Sequence, residues 1–294
     1  MMKALSYYIF SVFTWLIALL PLPVLYIFSW LLYFIFYYFP AYRKDIVKEN
    51  LKNSFPHKTD KELKTISKRF YMHLADMFIE GVKIRHMSIS QLQKRFKLVN
   101  PELVNSYFEK QRDAIAAFGH YGNWEWTVGL HKVLNHHILM VYKPLHNKYF
   151  DKYFLNIRSR YGMEIVPMSS VLRRIITNRK EKINTLSCLV ADQTPPRREI
   201  HYSLDFLNQS TPVYQGVEKI ATKFDMAVFY FYIRKVKRGY YEVEAELLTD
   251  SPKELEEHEL TRMHMKRLET LINERPELWL WSHRRWKHKK KIAE

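Results

Sequence analysis

Glycine is scarce in this chain, 7 of 294 residues. Dispersed as they are, these glycines cannot build a phosphate-cradling Gly-rich loop, which excludes P-loop and dinucleotide-binding turns. Cysteine is scarcer still. Cys188 is the only one, so no intrachain disulfide can form, and its place in the apolar run 186–191 reads as a buried strand position. No Cys/His cluster has structural-zinc spacing and no His-Glu-x-x-His occurs, so neither a metal nor a bound cofactor is expected. Charge is missing from one whole segment: residues 4–42 contain no Asp, Glu, Lys or Arg. Elsewhere acid is the minority, 30 Asp and Glu against 47 Lys and Arg, for a formal net charge of +17. Such a surplus calls for anionic partners. No nucleic-acid motif accompanies it, which leaves anionic lipid surfaces and acidic substrates or proteins.

The uncharged segment is apolar and aromatic, interrupted by Pro21-Leu22-Pro23. Helices over 5–20 and 24–39 are predicted. A cleavable signal would be shorter and end in small residues, which are missing. Spanning a bilayer takes about 20 apolar residues, so one tilted span across the break and a shallow hairpin both fit. A buried hairpin in a soluble protein is the plainer alternative. Arg43, Lys44, Lys48 and Lys52 follow at once, and the positive-inside rule then puts the main body in the cytoplasm.

Residues 1–42 are accordingly read as a hydrophobic membrane anchor and 43–112 as a basic helical region. Residues 113–294 are read as an α/β core, with 43–294 folding as one unit. A helical apolar stripe covers 60–83. Strand-like runs occur at 114–118, 138–142, 164–167, 186–191, 227–233 and 241–247. Helical segments at 124–135, 148–160 and 169–179 lie between the earlier ones, and an amphipathic helix at 252–273 follows the last. Alternating strand and helix implies a mixed, largely parallel sheet with helices on its faces. The close, WLWSHRRWKH from Trp279 and then three lysines, has the composition of a membrane–water interface. A solvated basic tail has the same composition.

Chemistry concentrates in Gly119-His120-Tyr121-Gly122-Asn123-Trp124-Glu125-Trp126. The run follows a predicted strand, and its two glycines suit a sharp turn at the sheet rim. Glu125 could hold one imidazole nitrogen of His120 and leave the other as a base. Spacing alone does not single out this pair. His57 with Glu62, His146 with Asp151 and His264 with Glu269 share it, but only His120 has the strand, the glycines and the tryptophans. In open sheets ligands bind beyond the carboxyl ends of the strands. Two further strand exits carry polar groups there. One is Lys143, followed by a helix ending in Arg158 and Arg160, which lie on roughly opposite helix sides. The other is Asp192-Gln193. A base, cationic or amide donors and a carboxylate suit acyl transfer to a hydroxyl without a serine or cysteine nucleophile.

The chain resembles the lipid A biosynthesis (lauroyl/myristoyl) acyltransferases, a branch of the lysophospholipid acyltransferase superfamily. The resemblance rests on the Leu-Pro-Leu-Pro anchor at 20–23, RKDIVKENLKNSFP at 43–56, the His120-x-x-x-x-Glu125 block, Tyr142-Lys143-Pro144, the region 158–162, Asp192-Gln193 and the Trp-rich signature at 279–286. It departs at Phe206-Leu207-Asn208, where the family often has Phe-Phe-Gly. It also departs at 227–230, where a proline often ends the strand. Both lie in segments expected near the acyl or acceptor pocket. The resemblance implies His120 as general base, Glu125 orienting it, and Arg158 and Asp192 binding substrate, with Lys143, Arg160 and Gln193 in the same blocks. It also implies an acyl carrier protein thioester as donor, a lipid A precursor as acceptor, and a place on the cytoplasmic face of the bacterial inner membrane. Acylation of another lysophospholipid, glycolipid or aminolipid is the alternative. A non-catalytic basic protein binding a membrane is a further one.

Overall fold

The structure is a computed structural model and describes residues 2–39 and 42–288. Two apolar helices open it, α1 (Met2–Leu19) and α2 (Leu22–Tyr38). The basic region follows with α3 (Lys44–Ser54), α4 (Asp60–Lys83) and α5 (Ile89–Arg95). Then come β1 (Phe96–Leu98), α6 (Pro101–Glu109), β2 (Ala114–Phe118), β3 (His137–Tyr142) and α7 (Lys148–Ser159). Next are β4 (Glu164–Pro167), α8 (Val171–Lys180), β5 (Thr185–Val190), β6 (Ser203–Phe206) and β7 (Gln209–Pro212). The chain ends with α9 (Gly216–Phe224), β8 (Ala227–Lys237), β9 (Tyr240–Thr249) and α10 (Glu259–Glu274).

Seven strands form one sheet in the order β1-β9-β8-β2-β5-β3-β4, and β6 with β7 makes a separate hairpin. Every pair in the large sheet is parallel except β8 with β9. This is the mixed, largely parallel sheet read from the sequence. β2 sits centrally and is buried on both faces. Ile115 and Ala117 feed one hydrophobic core, while Ala114, Ala116 and Phe118 feed the other. That period of two explains why an uninterrupted apolar run is needed here.

α4 starts at a capping box in which Thr59 and Glu62 satisfy each other's backbone N–H groups. It is then buried along most of its length, with α1, α2 and α3 packed on it. α2 presents Leu22, Leu25, Ser29, Tyr33 and Tyr37 to this core at three- and four-residue spacing. Lys83 of α4 donates to the Ala18 and Leu20 carbonyls at 2.9 and 2.8 Å, satisfying the open C-terminal end of α1. The opposite faces of the two helices are bare: Ile9, Phe13, Ile27 and Leu31 are each more than half exposed. Among the described residues no helix is long and apolar enough to cross a membrane. Within the segment read as an anchor, residues 2–38 form two helices, α1 and α2, separated at 20–21 and both packed on α4.

Other expectations need correcting. The segment 124–132 is a 3₁₀ helix, not the start of an α-helix. β1 lies inside the region read as helical, and α10 begins seven residues later than the sequence stripe, after His258 turns the chain at φ 68°. The close at 279–288 is neither an interfacial belt nor a solvated tail as far as it is described, because Trp279, Trp281 and Arg285 are buried. The indole N–H groups of Trp279, Trp281 and Trp286 each have a partner, in Asp192, the Pro276 carbonyl and Thr211 respectively. The lysines at 289–291 lie outside the described residues. The segment 206–208 is a tight turn, with Leu207 at φ 51° and Asn208 at φ 60°. A glycine at 208 would relax there, and asparagine tolerates the left-handed region better than most residues. Phe206, Leu207 and the residues 227–230 are core; none of them lines the pocket described next.

Candidate active site

Parallel pairing fixes the centre of the site. β2 and β5 are neighbours, in a register that sets Phe118 opposite Val190. His120 and Asp192 each stand two residues beyond that pair, so they leave the sheet side by side. Gly119 lets the turn press against α10: a Cβ there would lie 2.7 Å from Leu268 and 3.3 Å from an Asp192 oxygen. Gly122, at φ +61°, would put a Cβ 2.9 Å from Ile233. Position 122 therefore requires glycine, while a side chain at 119 would have to push the Leu268 methyls aside. Between them, Tyr121 pairs with Trp279 as an isolated antiparallel bridge, and its hydroxyl donates to the Leu271 carbonyl at 2.8 Å. The turn is thus clamped by the C-terminal segment.

Asp192 is buried and accepts three hydrogen bonds. Its Oδ1 takes the His120 Nδ1 proton at 2.6 Å, and its Oδ2 takes the His120 backbone N–H at 3.0 Å and the Trp279 indole at 2.8 Å. Burial pushes its carboxyl up. The His120 ring and these donors outweigh burial and hold it well below the usual carboxylate range. Asp192 is therefore ionised at neutral pH, and the proton of a neutral His120 sits on Nδ1. The Gln193 amide, 3.1 Å from Nε2, donates to that nitrogen. Trp124 meets the ring edge-on at 4.9 Å between centroids.

Glu125 makes no hydrogen bond or ion pair with His120. Its carboxylate is forked by Arg158, with Nη2 to Oε1 at 2.8 Å and Nε to Oε2 at 3.1 Å. Burial lowers the Arg158 guanidinium, but Glu125 more than offsets this and raises it above its ordinary value. The expected His120–Glu125 pair is thus two pairs, His120–Asp192 and Glu125–Arg158. The physical reason is the strand register, which brings Asp192 closer than a residue of the following 3₁₀ helix. Five of the seven residues singled out, His120, Glu125, Lys143, Arg158 and Gln193, line one pocket of about 650 Å³, with Lys143 exposed at its rim. Asp192 stands behind His120. Arg160 points away, across α7, into another pocket. The walls of the His120 pocket are largely apolar, among them Phe118, Met140, Leu189 and Val217.

Trp279 was not legible as a site residue. A buried indole needs an acceptor for its N–H, but no local pattern says that the acceptor is Asp192. Glu80 was missed as well. It is fully buried and takes hydrogen bonds from Tyr26 of α2, Asn123 of the His120 turn and Tyr241 of β9 at 2.8, 2.6 and 2.9 Å. Burial pushes its carboxyl up. Glu80 thereby ties the apolar helices to the turn carrying His120. The other histidines with the same acid spacing have no such setting. His57 is exposed away from the pocket, His146 is an exposed loop residue on the rim of the His120 pocket, and His264 is buried in α10, where burial pushes it down to about 4. Among the described residues no group of acids, histidines and cysteine could hold a metal ion.

An oriented imidazole at the carboxyl edge of a parallel sheet, opening on an apolar pocket, describes a group-transfer enzyme for an apolar substrate. The chain belongs to the bacterial lipid A biosynthesis acyltransferase family, whose profile matches residues 1–288. It is accordingly an acyltransferase acting on lipid A. Comparison with curated proteins gave no match.

Proposed function

We propose that this enzyme moves a fatty acyl group from an acyl carrier protein thioester to a hydroxyl of a lipid A precursor, with His120 as general base and Asp192 orienting it. The observation that carries this reading is the Asp192–His120 hydrogen bond of 2.6 Å, which leaves Nε2 as the acceptor on the pocket side. The acceptor hydroxyl displaces the Gln193 amide from Nε2 and gives up its proton there as its oxygen attacks the thioester carbon. The C–S bond then breaks, and His120 returns the proton to the leaving thiolate, giving an ester and a free thiol. The apolar walls suit the acyl chain. The Glu125–Arg158 fork fixes a guanidinium in the pocket, where its remaining N–H groups face polar parts of the substrate. The test is an assay of the purified chain with carrier thioesters of several lengths and a lipid A precursor, read by product mass. A product one acyl group heavier is expected, and its absence with every donor rejects the donor or the acceptor.

The same reading puts the protein on the cytoplasmic face of the bacterial inner membrane, seated by the bare faces of α1 and α2. Exposed apolar patches this large call for cover. Replacing Ile27 and Leu31, which are 68% and 57% exposed, with glutamine should not disturb the core. The double variant is expected to float poorly with anionic vesicles at physiological salt while melting like wild type. Unchanged flotation would remove α2 from the membrane contact.

A further inference from the structure

α7 has two working faces. Phe154 and Arg158 look into the pocket of His120, while Tyr153 and Arg160 look into a second pocket of about 400 Å³ on the other side. The far walls of this second pocket are α1, through Trp15, and the 3₁₀ turn after α4, through Arg85 and His86. Three basic side chains line it, and no carboxylate does.

The cluster is built rather than accidental. Arg85 donates to the Ser11 carbonyl at 2.9 Å and lies 5.5 Å from the centre of the Tyr153 ring. Arg160 donates to the Arg85 carbonyl, and the Tyr161 hydroxyl holds the same turn through the Ile84 and Met87 carbonyls at 2.6 and 2.8 Å. His86 packs edge-on against Trp15 with 5.6 Å between ring centroids. Its Nε2 is closed off from solvent and has no hydrogen-bond partner. Burial, then the charges of Arg85, Arg160 and Lys83, push the ring below its ordinary value. A buried polar atom without a partner is uncommon and costly, and beside it the half-buried Arg85 and the exposed Arg160 meet no carboxylate in the pocket. One anionic hydrogen-bond acceptor would answer both.

We propose that this pocket is a phosphate subsite for the acceptor lipid, taking a phosphate monoester through Arg85, His86 and Arg160. The proposal rests on the acyl-transfer reading above for the identity of the acceptor. Arginine forks fit phosphate oxygens, and the Trp15 wall of α1 offers apolar cover beside the charged head. The two pockets stand one helix apart, about 10–12 Å with side chains. That separation lets one end of a glycolipid be held while a hydroxyl elsewhere on it meets His120.

The test uses the full chain in detergent micelles, as wild type, Arg160→Gln and Lys61→Gln, the last removing one exposed charge at the start of α4, in a segment remote from both pockets. Each is assayed with the phosphorylated acceptor and with the same lipid after enzymatic removal of its phosphates. Each is also titrated calorimetrically with a short-chain alkyl phosphate and with inorganic phosphate. Arg160→Gln is expected to raise KM for the phosphorylated acceptor about 10-fold or more with kcat little changed, the loss of a charge-assisted contact. It should not change KM for the dephosphorylated lipid, and its affinity for alkyl phosphate should fall by a similar factor. Lys61→Gln should match wild type throughout. Equal KM values in wild type and Arg160→Gln overturn the subsite, and inorganic phosphate binding as tightly as the alkyl phosphate overturns its assignment to a lipid head. Binding of alkyl phosphate that depends on Arg160 without any turnover keeps the subsite and rejects the acyl-transfer reading instead.

Discussion

His120→Ala is expected to lower kcat by about 100- to 10,000-fold, the usual contribution of a positioned general base. The fold should survive the change. Asp192 keeps two donors on Oδ2, the 120 backbone N–H and the Trp279 indole, and its Oδ1 would open towards the solvated pocket. The glycines and the Tyr121–Trp279 bridge that shape the turn do not involve the imidazole. His57→Ala is the matched control, since His57 shares the spacing to an acid but is exposed on another part of the body. His264→Ala is a poor control, because that ring is buried against α10's own core and its loss would leave a cavity. Rates and melting temperatures measured together decide the matter. A His120→Ala enzyme that folds and turns over within a few-fold of wild type would remove His120 from the chemistry.

What the sequence revealed and what it hid follow from how local each signal was. β2 was legible because five consecutive buried residues leave an apolar run. The His120 turn was legible because two scarce glycines flank it, of which Gly122 is a steric necessity and Gly119 lies close against Leu268. β1 and β4, three and four residues long, were at the limit of any periodicity: β4 was found and β1 was not. The orienting carboxylate was misread for a clearer reason. Glu125 is close to His120 along the chain, whereas Asp192 is close only through the β2–β5 register. Both acids had been singled out, and only the pairing was wrong. The C-terminal tryptophans show the limit of composition. Tryptophan beside arginine describes a membrane belt and a buried polar core equally well. The difference lies in the acceptors, and Asp192, Pro276 and Thr211 all come from outside the motif. Arg179, near the C-terminal end of α8, is read from sequence only as part of a helix with basic residues. It pairs instead with buried Asp113 at 2.6 Å, so its replacement would strand a buried charge.

Asp192→Asn is expected to lower kcat by about 1,000- to 10,000-fold, the scale seen when the carboxylate orienting a catalytic imidazole becomes an amide. Geometry dictates the outcome. Two N–H groups, from the 120 backbone and Trp279, converge on Oδ2. The single amide oxygen must serve them, because an NH₂ there would face two donors. The amide nitrogen is then placed at the Oδ1 position, 2.6 Å from Nδ1, and can only donate to it. The imidazole proton moves to Nε2, and the nitrogen that should accept the hydroxyl proton already carries one. Acid stability should change as well. The folded Asp192 carboxyl lies below its unfolded value, so its contribution is present above the ordinary carboxylate range and is lost as pH falls below about 4. The asparagine variant should lack that part of the acid sensitivity. Glu125→Gln should differ in kind. It acts through Arg158, so the Glu125→Gln/Arg158→Gln double variant should be no worse than the poorer single one, and the acid limb of the pH–rate profile, set by protonation of the base, should stay in place. Additive losses at 125 and 158, with a near-wild-type rate in Asp192→Asn, would return the orienting role to Glu125.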